Sequence, residues 1–173
     1  MKSRTTVPRN AERVMREDEY IVSTTDPDGR ITSVNDVFVD YSGYGREELL
    51  HAQHNIVRHP DMPRAVFWLL WQALQSGEEF MGYVKNLAKD GTYYWVFAHV
   101  LPERDADGTI IGYRSVRRAP RRDAVAKAAA LYARMLSAEQ AVAAKDAIAA
   151  GLRVLGDVLA EQNLSYEEMV ARL

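Results

Sequence analysis

The sequence of 173 residues contains no cysteine. That absence excludes disulfides, thiolate nucleophiles, thiolate zinc sites and covalent haem attachment through the usual cysteine pair. Any chemistry must therefore use other side chains or a bound cofactor. Long apolar runs are also missing. The N-terminal "MKSRTTVPRNAERVMREDEY" has no secretory core, and no later window approaches the ~20 apolar residues of a membrane helix. A soluble, cytoplasmic chain is the expectation. Charge of one sign is not in excess either: the formal net charge is -2, with 27% charged and 47% hydrophobic residues. Such a balance is ordinary for a globular domain and gives no global pull toward nucleic acid. Finally, neither a G-x-S-x-G nucleophile signature nor a carboxylate pair at catalytic spacing is present, which leaves a hydrolase built on His59 and Asp61 poorly supported.

What is there reads as one main domain with a helical appendage. Residues 1–18 form an arm or short polar helix. The strand-like "EYIVSTTD" (19–26) runs into the turn "DPDG", and "RITSV" follows as a second strand. Asn35 is placed to N-cap a helix carrying Val37, Phe38 and Tyr41. "SGYGREELL" supplies a turn and another short helix. Over 62–76, Val66, Phe67, Leu70, Trp71 and Leu74 recur at helical spacing, with Asp61 as the expected N-cap and Gly77 as the stop. Between 79 and 117 the pattern changes to β-branched and aromatic residues in three runs, separated by "KDG" and "DADG". Two consecutive antiparallel hairpins follow from that.

From Arg121 onward the chain is alanine-rich and helical. Val125, Ala128, Leu131, Tyr132, Met135 and Leu136 make one apolar stripe, and Ile148, Leu152, Leu155 and Leu159 another. Ser165 and Glu168 form a capping-box pattern that opens a last short helix. These stripes fold back on the sheet or pair between subunits, and a homodimer through them is the expectation. The order of elements is α+β: a five-stranded antiparallel sheet with short helices on one face and a C-terminal helical extension.

The most unusual stretch is "HNIVRHPDMP", residues 54–63. Pro60 biases His59 toward extended backbone, and Pro63 fits a first helical turn, so the segment is a stiff lead into the helix. Arg58 offers a planar fork of donors to a phosphate or carboxylate, and His54 or His59 can hydrogen-bond a ring edge. Asp61 can orient either neighbour. The plain structural alternative is an Arg–Asp pair that pins a connector between two partly exposed histidines. A metal site from His54, His59 and Asp61 is disfavoured by the prolines and by the lack of a fourth ligand nearby.

Set before Trp71 and the "VKN" of residues 84–86, this stretch resembles the sensory domain of bacterial aerotaxis receptors. The wider sequence, with "DPDGRITSVNDVFVDYSGYGREELL" early and "KNLAKDGTYYWVFAHVLPERDADGTIIGY" late, resembles the PAS sensor fold over residues 19–118, leaving 119–173 as a helical tail. The resemblance implies a non-covalently bound FAD whose redox state is reported to a downstream signalling partner. It also implies cofactor-binding roles for Asn35, His54, Arg58, His59, Asp61, Trp71 and Asn86. Blue-light relatives form a flavin–cysteine adduct, which this chain has no residue to form, so a redox signal is what remains for a flavin. Strand alternation places Gly82, Val84 and Asn86 on one face and Met81, Tyr83 and Lys85 on the other. In the next strand Val96, Ala98 and Val100 share a face opposite Trp95, Phe97 and His99. Arg114 departs from the apolar residue expected there: facing inward it would stabilise a reduced anionic flavin, and facing outward it is a surface charge. Family receptors continue into a membrane anchor, whereas Lys145, Asp146, Arg153 and Asp157 interrupt the apolar pattern of this tail. A cofactor-free dimerisation module and a haem-binding domain with a histidine ligand are the competing readings.

Overall fold

The computed structural model describes residues 6–173. Its core is a five-stranded antiparallel sheet in the order β2-β1-β5-β4-β3. Strands β1 (Tyr20–Thr25) and β2 (Ile31–Val34) are joined by the expected "DPDG" turn, in which the Asp26 carboxylate accepts the backbone N–H groups of Asp28 and Arg30. β3 (Phe80–Leu87), β4 (Tyr93–Arg104) and β5 (Ile110–Arg118) form the two hairpins, and β5 returns beside β1 to close the sheet order. On one face lie α1 (Asp36–Ser42), α2 (Arg46–Leu49), a short 3-10 turn (His54–Val57) and α3 (Arg64–Gln75).

Asn35 is the N-cap of α1, and it does more than cap. Its Oδ1 accepts from Phe38 N and from Val22 N, while its Nδ2 donates to the Tyr20 carbonyl, so one side chain ties the helix start to β1. The start of α3 corrects an expectation. Asp61 does not cap it: Pro63 occupies the N-cap position and has no side-chain acceptor. The Asp61 backbone N–H is bound by His59 Nδ1, and the Asp61 carboxylate turns to Lys85 Nζ at 2.6 Å. The helix amides are satisfied instead by Glu139 in the tail, a long-range contact that local sequence cannot signal.

Residues 9–16 are an extended arm that ends in a turn at 17–18. Arg9 N–H donates to the Gly91 carbonyl, Arg13 N–H donates to that of Tyr93, and Tyr93 N–H donates back to Ala11. The tail forms α4 (Arg122–Gln140), α5 (Ala147–Gln162) and α6 (Tyr166–Arg172). It folds back within the chain. On the outer sheet face Tyr132 of α4 stacks on Trp95 and donates its hydroxyl to the Tyr83 carbonyl. α5 packs against both α4 and α3, and α6 contacts β3. Leu131, Met135, Leu155 and Val158 are buried there. The apolar stripes are thus covered by the chain's own sheet and α3, each large side chain contributing roughly 1.5–3 kcal/mol. A subunit interface built on the same buried faces would compete with this packing.

Candidate functional site

A cavity of about 890 Å³, counting the part open to solvent, lies between the sheet and the helices of the first face. Phe67, Leu70, Trp71 and Leu74 of α3 make one wall. Val84, Asn86, Ala98, Val100, Tyr113, Ser115 and Arg117 make the sheet wall. Gly29 lets the β1–β2 turn approach Trp71: a Cβ built on it would sit 3.1 Å from the indole ring.

Of the residues expected to bind a cofactor, His54, Arg58, Trp71 and Asn86 line this cavity. Asn86 is 4% exposed, and its amide has no hydrogen-bond partner among the described residues. The backbones of Arg58 and Asn86 form an isolated bridge, which docks the "VRHPDMP" stretch on β3. The Arg58 guanidinium lies 4.5 Å over the Phe67 ring and donates to the Met62 carbonyl at 3.1 Å. Burial pulls its pKa down, and the Glu139 carboxylate opposes that pull.

Asn35, His59 and Asp61 are not in the lining. Asn35 is spent on three backbone groups. His59 is buried against Tyr93, its Nδ1 3.0 Å from the Asp61 N–H, and burial followed by the charge of Lys85 holds its pKa below the ordinary value. Asp61 turns away from the cavity to pair with Lys85 of β3. His54, which lines the cavity, is therefore not brought together with His59 and Asp61, and the three do not form a common metal site.

The residue that sequence reasoning missed is Arg117. Register places Arg114 on the outer face, where Glu103 pairs with it, and turns Tyr113, Ser115 and Arg117 inward. Arg117 is 2% exposed and makes no ion pair among the described residues. Its guanidinium stacks 4.4 Å over Phe38 and donates to Ser23 Oγ, while its Nε lacks any partner. Burial pulls its pKa down to about 10. The Ser23 hydroxyl lies 3.1 Å from His54 Nε2, and Arg117 Nη1 is 3.4 Å from the same nitrogen. A guanidinium only donates, so Nε2 is the accepting nitrogen and His54 is neutral. Its pKa is pushed down to about 3, first by burial and then by the charge of Arg117. The signal available in the sequence was the period-2 face Tyr113, Ser115, Arg117, which a surface reading of "YRSVRR" conceals.

A buried cation without an acidic partner, the inward amide of Asn86 and aromatic walls meet in this cavity. The architecture around it, a five-stranded antiparallel sheet whose short helices close a single face, is that of a small-molecule sensor domain. Residues 31–117 match the PAS fold family, and the chain belongs to that family. The aerotaxis receptor of Escherichia coli is 43% identical over 118 residues, which is 68% of this chain and 23% of the receptor. A biofilm dispersion protein of Pseudomonas aeruginosa is 32% identical over 50% of the chain and 21% of its own length. The PAS domain is of the aerotaxis-receptor type, and the chain spans less than a quarter of either relative. Among solved structures, the dark state of a blue-light photoreceptor LOV domain from aureochrome superposes with a TM-score of 0.56 at 24% identity, covering 69% of this chain and 83% of that one. That likeness is one of fold.

Proposed function

We propose that this domain is a cytoplasmic sensor module that binds FAD non-covalently in the cavity and reports its redox state, and through it oxygen or energy status, to a signalling partner. The observation that carries the reading is Arg117, a buried guanidinium with no acidic partner and an unused Nε. The donor set fits a flavin, whose ring edge carries carbonyl acceptors and N–H donors. Asn86 can both accept from and donate to such an edge. Arg117 and Arg58 supply positive charge, Ser115 a hydroxyl, and Trp71 with Phe67 apolar ring faces. His54 cannot take up a proton near neutral pH beside Arg117, so it holds the guanidinium's position through Ser23. Asn35, His59 and Asp61 lie outside the cavity lining and fix the backbone around it. A bound flavin supplies reversible electron uptake, with charge and protonation that the surrounding groups tune. Arg117 favours the more negative state, because a fixed cation in a low-dielectric site stabilises developing negative charge strongly.

This reading is of a sensor and not an enzyme. No helix among the described residues is long and apolar enough to cross a membrane. A homodimer through the helical tail would use the parts of its stripes left half-exposed, such as Leu136, Ile148 and Leu152. The test is an absorbance spectrum of purified protein after incubation with excess FAD. Flavin bands that persist through desalting, with FAD released on denaturation, support the proposal. Colourless protein sinks it and favours a cofactor-free interaction module, and a Soret band would replace flavin by haem.

A further inference from the structure

Glu139 is a buried carboxylate, 5% exposed, in the tail helix α4. Its Oε2 accepts the Arg64 N–H at 2.8 Å and its Oε1 the Ala65 N–H at 2.9 Å. These are first-turn amides of α3, with no intrahelical partner, and Ala65 is fully buried. A carboxylate there gains two charge-assisted hydrogen bonds and the favourable end of the helix dipole. From the other side α5 closes on the same group at Gly151. A Cβ on Gly151 would lie 2.4 Å from Glu139 Oε1 and 2.9 Å from the Ala65 Cβ, so only glycine lets three helices meet there.

The helix held in this way carries Phe67, Leu70, Trp71 and Leu74 into the cavity wall. Arg58, also in that wall, donates to the carbonyl of Met62, two residues before α3 begins, and feels the charge of Glu139. We propose that Glu139 latches the tail helices onto the cavity-bearing helix α3, so that a change at the cavity wall around Arg58 alters how firmly the tail is docked. The latch makes the tail the output element of the domain, whatever ligand fills the cavity.

The test is hydrogen exchange resolved along the full chain for wild type, Glu139→Gln, Arg58→Met and the double variant. An amide at position 139 keeps one accepting oxygen but turns an NH₂ donor against a helix N–H. Glu139→Gln should therefore raise exchange over residues 122–172 by at least about tenfold, the factor that 1.4 kcal/mol sets, with strands β1–β5 unchanged. Arg58→Met should loosen the same residues several-fold in the wild-type background and add nothing once Glu139 is replaced, as expected for two groups in one connection. Gly151→Ala, which pushes on the carboxylate from α5, should reproduce the selective release and serves if Glu139→Gln does not fold. Unchanged tail exchange in Glu139→Gln and Gly151→Ala overturns the latch, as does an equal rise over sheet and tail. Full additivity of Arg58→Met and Glu139→Gln overturns the coupling to the cavity wall.

Discussion

Replacing Arg117 by methionine should stabilise the flavin-free domain while weakening its hold on the ligand. The guanidinium pKa is lowered to about 10, mainly by burial. At 1.36 kcal/mol per pH unit, keeping that charge in the sheet wall costs the fold about 3 kcal/mol. Against this stand the hydrogen bond to Ser23 and the stacking on Phe38. Each contributes on the order of 1 kcal/mol. Methionine has a similar length and adapts to the same space, so cavity formation adds little. Ser23 keeps a partner, because its hydroxyl can still donate to His54 Nε2. The net expectation for Arg117→Met is a gain of about 1 kcal/mol, a rise in Tm of about 2–4 °C for a chain of this size. FAD affinity should fall at least about tenfold, since a charge-assisted hydrogen bond contributes about 1.5–3 kcal/mol. Urea unfolding of flavin-stripped protein and an FAD titration measure the two quantities. A variant that loses more than about 1 kcal/mol, or that binds FAD as tightly as wild type, refutes the assignment of Arg117 as a ligand-directed charge.

Three further outcomes follow from the same geometry. His54 has a folded pKa of about 3 against an ordinary 6.5, so below pH 6.5 the unfolded chain takes up a proton that the folded one refuses. Stability should accordingly decline as pH falls from 6.5 toward 3, with this group contributing up to about 1.4 kcal/mol per pH unit; urea midpoints of His54→Asn should show a shallower decline, and equal slopes would contradict the neutral, buried imidazole. Asn35→Ala removes the partner of three backbone groups and should cost about 2–3 kcal/mol in unfolding experiments, with FAD affinity of the folded protein unchanged within about twofold; a selective loss of affinity would place Asn35 in ligand contact after all. Asp61→Ala breaks a pair whose carboxylate is 59% exposed, so unfolding free energy should change by less than about 1 kcal/mol and the flavin spectrum should not shift, whereas loss of flavin would show that Lys85 and His59 depend on it to shape the cavity.

The strands and turns were legible because their determinants are local. "DPDG", "KDG" and "DADG" carry the turn chemistry, and β-branched alternation fixes which residues face the helices. That alternation grouped Asn86 with Val84 on one face, and the structure turns that face to the cavity. The cavity itself was half legible: His54, Arg58, Trp71 and Asn86 sit on its wall, while Asn35, His59 and Asp61 build the surrounding backbone. Arg117 was hidden because three arginines within five residues of β5 read as surface, and only the register against β1 and β4 separates Arg114 and Arg118 from Arg117. The cap of α3 was hidden for a different reason. Its acceptor comes from Glu139, and a contact across 74 residues has no short-range pattern. The tail stripes were visible as amphipathic faces, yet amphipathicity names no partner, and here the partners are Trp95, Tyr83 and α3 of the same chain.

Among the described residues two side chains of opposite charge are buried, Arg117 and Glu139, and their surroundings differ in a way that bears on function. Glu139 has both oxygens satisfied by helix amides. That arrangement stabilises the fold in its own right, as capping does anywhere. Arg117 has one hydroxyl acceptor, a histidine nitrogen at the limit of hydrogen-bond distance and an aromatic face, with Nε left over. A sheet wall shaped for stability alone would carry an apolar side chain at that position, since replacing poorly compensated buried charge by hydrophobic groups is commonly neutral or favourable. The surrounding residues nevertheless support the cation: Ser23 and His54 position it, and Phe38 stacks beneath it. A preorganised charge of this kind interacts most favourably with a group that becomes more negative, because its own desolvation has already occurred on folding. The asymmetry between the two sites is what the two proposed roles draw on: Arg117 would respond to charge in the cavity, and Glu139 fixes the element that a change there would move.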